Sequence, residues 1–225
     1  MKTIKRILFW KLILIVGYFG IGIILNSYIF PEKKPDLANY FQPGDVLHSK
    51  SEGFDQTIIS VKDGWVHSSL IIQPKAPGPP EHIHTNLVEV FVVKEGTLSM
   101  MVNGEKKTLK AGESITIPVG TSHRPFNETD QPVIVENEGS EKDLTVEFAY
   151  HLSQLYRVVD GAGGNPSAFS MILQFAVYGT EMDAYLADGP PIFVQKAMRF
   201  LLAPTARLLG YKSYYEEYRI KHHLN

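Results

Sequence analysis

The 225-residue chain contains no cysteine. That excludes disulfides, thiolate metal ligands and cysteine nucleophiles together, and it is compatible with either side of a membrane. No charge of one sign dominates, since 22 Lys and Arg stand against 24 Asp and Glu, a net charge of −2. No basic stripe interleaved with aromatics is present, so nucleic acid is not an expected partner. Repeats and low-complexity tracts are also missing. One long segment lacks charge altogether: residues 12–30, LILIVGYFGIGIILNSYIF. As a helix it rises about 28 Å, close to the hydrocarbon thickness of a bilayer. Residues 1–11 carry Lys2, Lys5, Arg6 and Lys11 and no acid. A basic flank stays in the cytoplasm, which predicts a single-pass membrane anchor with the rest of the chain on the outer side. The competing reading is a cleaved signal peptide and a secreted or periplasmic protein. The apolar stretch is long for that, and NSYIFPEKK lacks a small-x-small cleavage site.

What is present divides the chain into an anchor or signal segment at 1–30, a linker at 31–54, a β domain at 55–150 and a helical extension at 151–225. A hydrophobic fraction of 44% is enough for a real core. Runs at 57–62 and 65–73 flank Asp63-Gly64, and runs at 97–102 and 105–109 flank Asn103-Gly104. Both dipeptides favour two-residue hairpin turns. Further strands are predicted at 88–94, 114–117, 122–127, 132–138 and 143–150. Many short strands with frequent turn signals argue for a sandwich or barrel. After about residue 150 the spacing becomes helical. Asn165-Pro166 reads as an N-cap followed by Pro at the first helical position, and Gly179 as a helix stop. Pro190-Pro191 opens another helix, interrupted by Pro204. The whole is mainly β, α+β overall.

Histidines two apart on a strand, His82 and His84, turn both rings to one face. A carboxylate on the next strand, Glu89, and a later histidine, His123, can converge on the same point. Three nitrogens and one oxygen suit one divalent transition metal: Fe, Mn, Co, Ni, Cu or Zn. Phe91 and Val93 share the inward face with Glu89 and make an apolar wall suited to a small-molecule ligand, or simply core. Gly96, Gly112, Pro118 and Gly120 read as turn residues. Asn127 reads as a structural hydrogen-bonding residue more than a cavity residue. Arg124 and Glu81 are expected to point away from the metal. His67, His151, His222 and His223 read as ordinary histidines. The segment 192–218 reads as packing against the barrel, with a membrane-surface helix as the other reading.

These residues carry a resemblance. PGPPEHIHTNLVEVFVVKEG, with His82, His84, Glu89 and Gly96, resembles the first cupin motif. GESITIPVGTSHRPFN, with Gly112, Pro118, Gly120, His123 and Asn127, resembles the second. The resemblance spans roughly residues 55–150 and implies a cupin jelly-roll β-barrel with the metal inside. The tail LLGYKSYYEEY is similar to tails of some bacterial single-cupin proteins. A metal-dependent enzyme follows as the first expectation, dioxygenase- or isomerase-like, acting on a small oxygen-bearing organic molecule. The resemblance to quercetinase-like dioxygenases would make Glu89 the catalytic base as well as a ligand. Two other readings stay open: a non-enzymatic module that binds or senses a sugar or metabolite at the cell surface, and a scaffold whose exposed sheet edges form a homodimer.

Overall fold

A computed structural model describes residues 2–29, 31, 35–136, 144–220 and 222. Helix α1 (Lys2–Ile24) continues into a π-helical turn at Leu25–Ile29. It begins well before the uncharged stretch because nothing from Lys2 to Lys11 breaks a helix. Among the described residues, Lys2–Ile29 is the one helix long and apolar enough to cross a membrane, a test that a signal sequence also passes.

The strands are β1 (Val46–Ser49), β2 (Phe54–Lys62), β3 (Trp65–Ile72), β4 (His82–Ile83), β5 (Glu89–Glu95), β6 (Thr97–Val102), β7 (Glu105–Lys110), β8 (Ser114–Ile117), β9 (His123–Phe126), β10 (Val133–Glu136), β11 (Leu144–Thr145) and β12 (Tyr185–Leu186). The expected linker at 31–54 thus contains β1. Both predicted hairpins form on residues with positive φ, Asp63 at 51° and Gly64 at 80°, Asn103 at 49° and Gly104 at 79°. These values give the type I′ geometry that matches strand twist. The predicted strand at 143–150 is corrected. Leu144 and Thr145 pair with β3, but the Thr145 side chain then accepts from Phe148 N–H at 3.1 Å and starts helix α2 (Val146–Gly161). A Thr N-cap ahead of an amphipathic run overrides the β-branched residues.

Two antiparallel sheets result. One has the order β1-β2-β3-β10-β5-β8 with β11 beside β3, and the other the order β12-β4-β9-β6-β7. No ladder joins them among the described residues, so the fold is an antiparallel two-sheet structure with helices and not a closed barrel. Phe54, Ile72, Val93, Leu98, Met100 and Val133 fill the space between the sheets. Complete burial of each such side chain contributes about 1.5–3 kcal/mol. A second core forms outside the first sheet, where Leu47, Ile58 and Val66 meet Phe148, Ala149 and Leu155 of α2 and Leu173 of α3 (Ala168–Tyr178). Helix α3 is capped by Ser167, whose Oγ accepts from Ser170 N–H at 3.1 Å, and not by Asn165. Gly179 ends it with φ 65°. Helix α4 (Ile192–Leu208) runs through Pro204 instead of breaking there. It packs mainly on α3 and meets the second sheet at β12, where Gln195 bonds the Leu186 backbone and Arg199 lies over Tyr185.

Candidate metal centre

Strand β4 is only two residues long, yet it is held on both sides, by β12 and by β9. Its register sets His82 directly opposite His123, with ring centroids 4.4 Å apart. His84 follows the strand on the same face, 4.9 Å from the His82 ring and 5.3 Å from that of His123. The turn at Pro118–Gly120 fixes this segment, because Gly120 N–H donates to the His84 carbonyl at 2.8 Å. Glu89 comes from the other sheet, at the start of β5 opposite Ile117 of β8. All four predicted ligands are brought together, with one ligand atom from each within 4.8 Å of the others.

Each ring is held through Nδ1 by a backbone carbonyl. His82 donates to Pro80 O at 2.9 Å, His123 to Thr121 O at 3.1 Å, and His84 to Asp183 O. A carbonyl only accepts, so Nδ1 carries the hydrogen and each Nε2 presents its lone pair inward. His123 Nε2 lies 2.6 Å from Glu89 Oε2 and His84 Nε2 lies 3.4 Å from the same oxygen. A lone pair and a carboxylate oxygen at 2.6 Å require a shared cation, either a proton or a metal ion. His84 Nε2 is buried with no hydrogen-bond partner. Such an orphaned nitrogen is costly unless it binds something. The residues present therefore fit a divalent metal held by three Nε2 atoms and one carboxylate.

Electrostatics agree with that fit at His82 and Glu89, while His84 is drawn towards its protonated form by the carboxylate. Burial, reinforced by neighbouring His123 and His84, pushes His82 down to about 4, so the ring is neutral as a metal ligand must be. Burial opposes charge on His84, but the Glu89 carboxylate outweighs it and raises this ring. Burial would raise Glu89, yet His84 and His123 hold it well below the usual carboxylate range. The wall beside the ligands is aromatic. Phe91 is buried with its ring 6.5 Å from His123, and Phe148 of α2 meets the His84 ring edge-on at 5.5 Å. Val93 belongs to the core between the sheets.

The other expected residues sort as follows. Asn127 is structural, with Nδ2 donating to the carbonyls of Ile72, Gln73 and Gln131 and Oδ1 accepting from Thr129. Glu81 turns away and accepts from Ser122 Oγ at 2.5 Å. Arg124 lies over the Phe126 ring at 4.9 Å. His67 sits 4.0 Å from Glu136, His151 3.5 Å from Glu181, and His222 3.0 Å from Asp45, all away from the centre. His223 lies outside the described residues. Gly96, Gly112 and Gly120 all take positive φ.

Sequence reasoning missed Asp183. Its backbone carbonyl anchors His84, and its carboxylate accepts from Thr85 N–H, Thr85 Oγ1 and Asn86 N–H. The loop that carries it is fixed in turn by Arg199 of α4, whose guanidinium donates to the carbonyls of Gly179, Met182 and Ala184. Arg199 also stacks over Tyr185 at 4.3 Å. Nothing local in the sequence signals this support, which joins residues 98 positions apart.

The family model described as a cupin domain matches residues 69–137. A relative named "Probable oxidoreductase virH" from Hypocrea virens is 31% identical over 153 residues, covering 63% of this chain and 68% of that protein. The chain belongs to the cupin family. Solved cupin-like structures are also similar to it. One is a cupin-2 domain containing protein from Shewanella frigidimarina, at 26% identity, TM-score 0.31, covering 36% of this cupin and 76% of that chain. Another is KdgF from Halomonas sp., at 23% identity, TM-score 0.34, covering 40% and 83%.

Proposed function

We propose that this cupin is a membrane-anchored metalloenzyme. It would hold one divalent transition metal at His82, His84, Glu89 and His123 and act on a small oxygen-bearing organic molecule. The observation that carries the reading is that all three rings are anchored through Nδ1 and direct Nε2 at one carboxylate. When bound, such an ion supplies Lewis-acid polarisation and, if redox-active, electron transfer. The oxidoreductase name of the Hypocrea virens relative favours redox chemistry over isomerisation. Phe91 and Phe148 exclude water from one side of the site. Glu89, the one carboxylate among the ligands, accepts a proton from the substrate. The basic flank of α1 stays cytoplasmic and the cupin domain lies on the outer side.

The test is elemental analysis of the full-length chain purified in detergent without added metal, beside His82→Ala and His123→Ala. About one equivalent of a redox-active metal, lost in both variants, is expected. A chain that takes up no metal even on reconstitution would overturn the reading. Glu89→Gln separates the base role. If it keeps metal and fold and turns over every substrate at the wild-type rate, Glu89 is not the base.

A further inference from the structure

Helix α4 presents its side chains the wrong way round for a helix facing water. Phe193 is 73% exposed, Phe200 69%, Leu201 49% and Leu208 52%, with Ala197 exposed between the two phenylalanines. At helical spacing these residues form one apolar stripe, which Arg207 borders in the last turn, seven residues beyond Phe200. Two of the helix's three cations point inward instead. Arg199 is buried among carbonyls, and Lys196 Nζ lies 5.3 Å from the Tyr185 ring centroid and 3.4 Å from Thr85 Oγ1.

Helix α1 meets this stripe directly. Phe19 stacks on Phe200 with centroids 4.9 Å apart, and Tyr18 Oη donates to Leu201 O at 2.8 Å and pairs with Thr205 Oγ1 at 2.6 Å. Gly22 lies against Pro204 so closely that an added Cβ would come within 2.6 Å of the Pro204 Cβ. Small residues allow such approach between helices in lipid. If Trp10 and Tyr28 mark the two interfaces of the α1 span, Gly22 and Phe19, where α1 touches α4, lie about 9 and 14 Å below the outer one. In-plane helices bury their apolar face about 5–10 Å deep. Lys11 is then close enough to the inner interface to snorkel.

We propose that α4 is an interfacial helix lying in the outer leaflet of the bilayer that α1 crosses, with the Phe193–Leu208 stripe in contact with acyl chains. The inference rests on the anchor reading of α1 and goes beyond the metal chemistry. The cupin domain would then be docked on the membrane, not merely tethered to it.

The cysteine-free sequence makes the test clean. Single cysteines replace Phe193, Leu14 of α1 and exposed Thr108 of β7, are spin-labelled, and the full-length chain is reconstituted in phosphatidylcholine vesicles. Collision with oxygen, which partitions into lipid, is compared with collision with a water-soluble nickel chelate. The expected result is an oxygen-to-nickel ratio at 193 like that at 14 and many-fold above that at 108. Phe193 is chosen because it is remote from the α1 contact. A water-like ratio at 193 with a lipid-like ratio at 14 overturns the proposal and leaves the anchor intact. Water-like ratios at both positions overturn the anchor and the proposal together. Protection of 193 from both reagents assigns the stripe to a second copy of the chain and also overturns it.

Discussion

Asp183→Ala tests whether the loop after α3 sets the proposed metal centre. The Asp183 side chain is 7% exposed and accepts three hydrogen bonds, from Thr85 N–H at 2.9 Å, Thr85 Oγ1 at 2.6 Å and Asn86 N–H at 2.6 Å. Hydrogen bonds to a charged acceptor contribute about 1.5–3 kcal/mol each. They do not add, because Thr85 is only half-buried and Asn86 exposed, so water replaces part of what is lost. The expected destabilisation is about 2–4 kcal/mol. The substitution leaves the backbone carbonyl that holds His84 but frees the loop that positions it. Loss of support behind a metal ligand weakens metal binding by about 10–100-fold. Chelator competition on the full-length chain in detergent reads the affinity, and thermal unfolding reads the stability. Asp188→Ala, at an exposed site on the same stretch, should change stability by less than about 0.5 kcal/mol and leave affinity alone. If Asp183→Ala lowers the melting temperature while metal affinity stays at the wild-type value, the loop serves only stability and the link to His84 is refuted.

Glu52 has its pKa pushed up to about 8, by burial first and by the Asp160 carboxylate second. The folded state therefore holds a proton that the unfolded chain releases near 4.5, so wild-type stability should fall as pH rises from there through about 8. Glu52→Gln removes that dependence. Thermal unfolding should show its advantage growing by about 2 kcal/mol or more across that window, less than the full shift because the side chain is half-buried, and parallel pH profiles would contradict it. Gly78 has φ 70°, and a Cβ there would stand 1.9 Å from Pro125 O. Gly78→Ala must displace the loop or strand β9, with a loss of more than about 3 kcal/mol, whereas Gly44→Ala, at φ 91° in open space, should cost about 1–2 kcal/mol. Equal melting shifts for the two would show that the close approach is unimportant.

The His82/His84 alternation and the two hairpins were legible because each depends on local rules, and the two cupin-like motifs added Glu89 and His123 to the cluster that the fold brings together. Alternation puts His82 and His84 on one face, and Asp63-Gly64 and Asn103-Gly104 supply the positive φ their turns need. What stayed hidden depends on partners far away. The carbonyl that holds His84 comes from a residue 99 positions downstream, and β12 pairs with the distant edge of β4. The helix start at Val146 was obscured by β-branched residues that alone favour a strand, and one Thr145 hydrogen bond decides the matter. The composition of α4 was readable, but its sense was not. Only tertiary contacts show that Arg199 turns inward and the aromatics outward.

The distance in sequence between His84 and its anchor also orders events during synthesis. All four proposed metal ligands leave the ribosome before the Asp183 loop and the Arg199 that braces it. At about 5–20 residues per second, the interval from His84 to Arg199 is roughly 6–23 s. On the proposed reading, a nascent chain holds the four donors with one imidazole still free to turn, and an ion captured then would exchange more readily than one captured later. Firm retention of the proposed ion would begin only when the end of the chain has folded. In the proposed outward topology, that moment would fall outside the cytoplasm. The ion kept would then reflect the metals available where folding finishes, not where translation began.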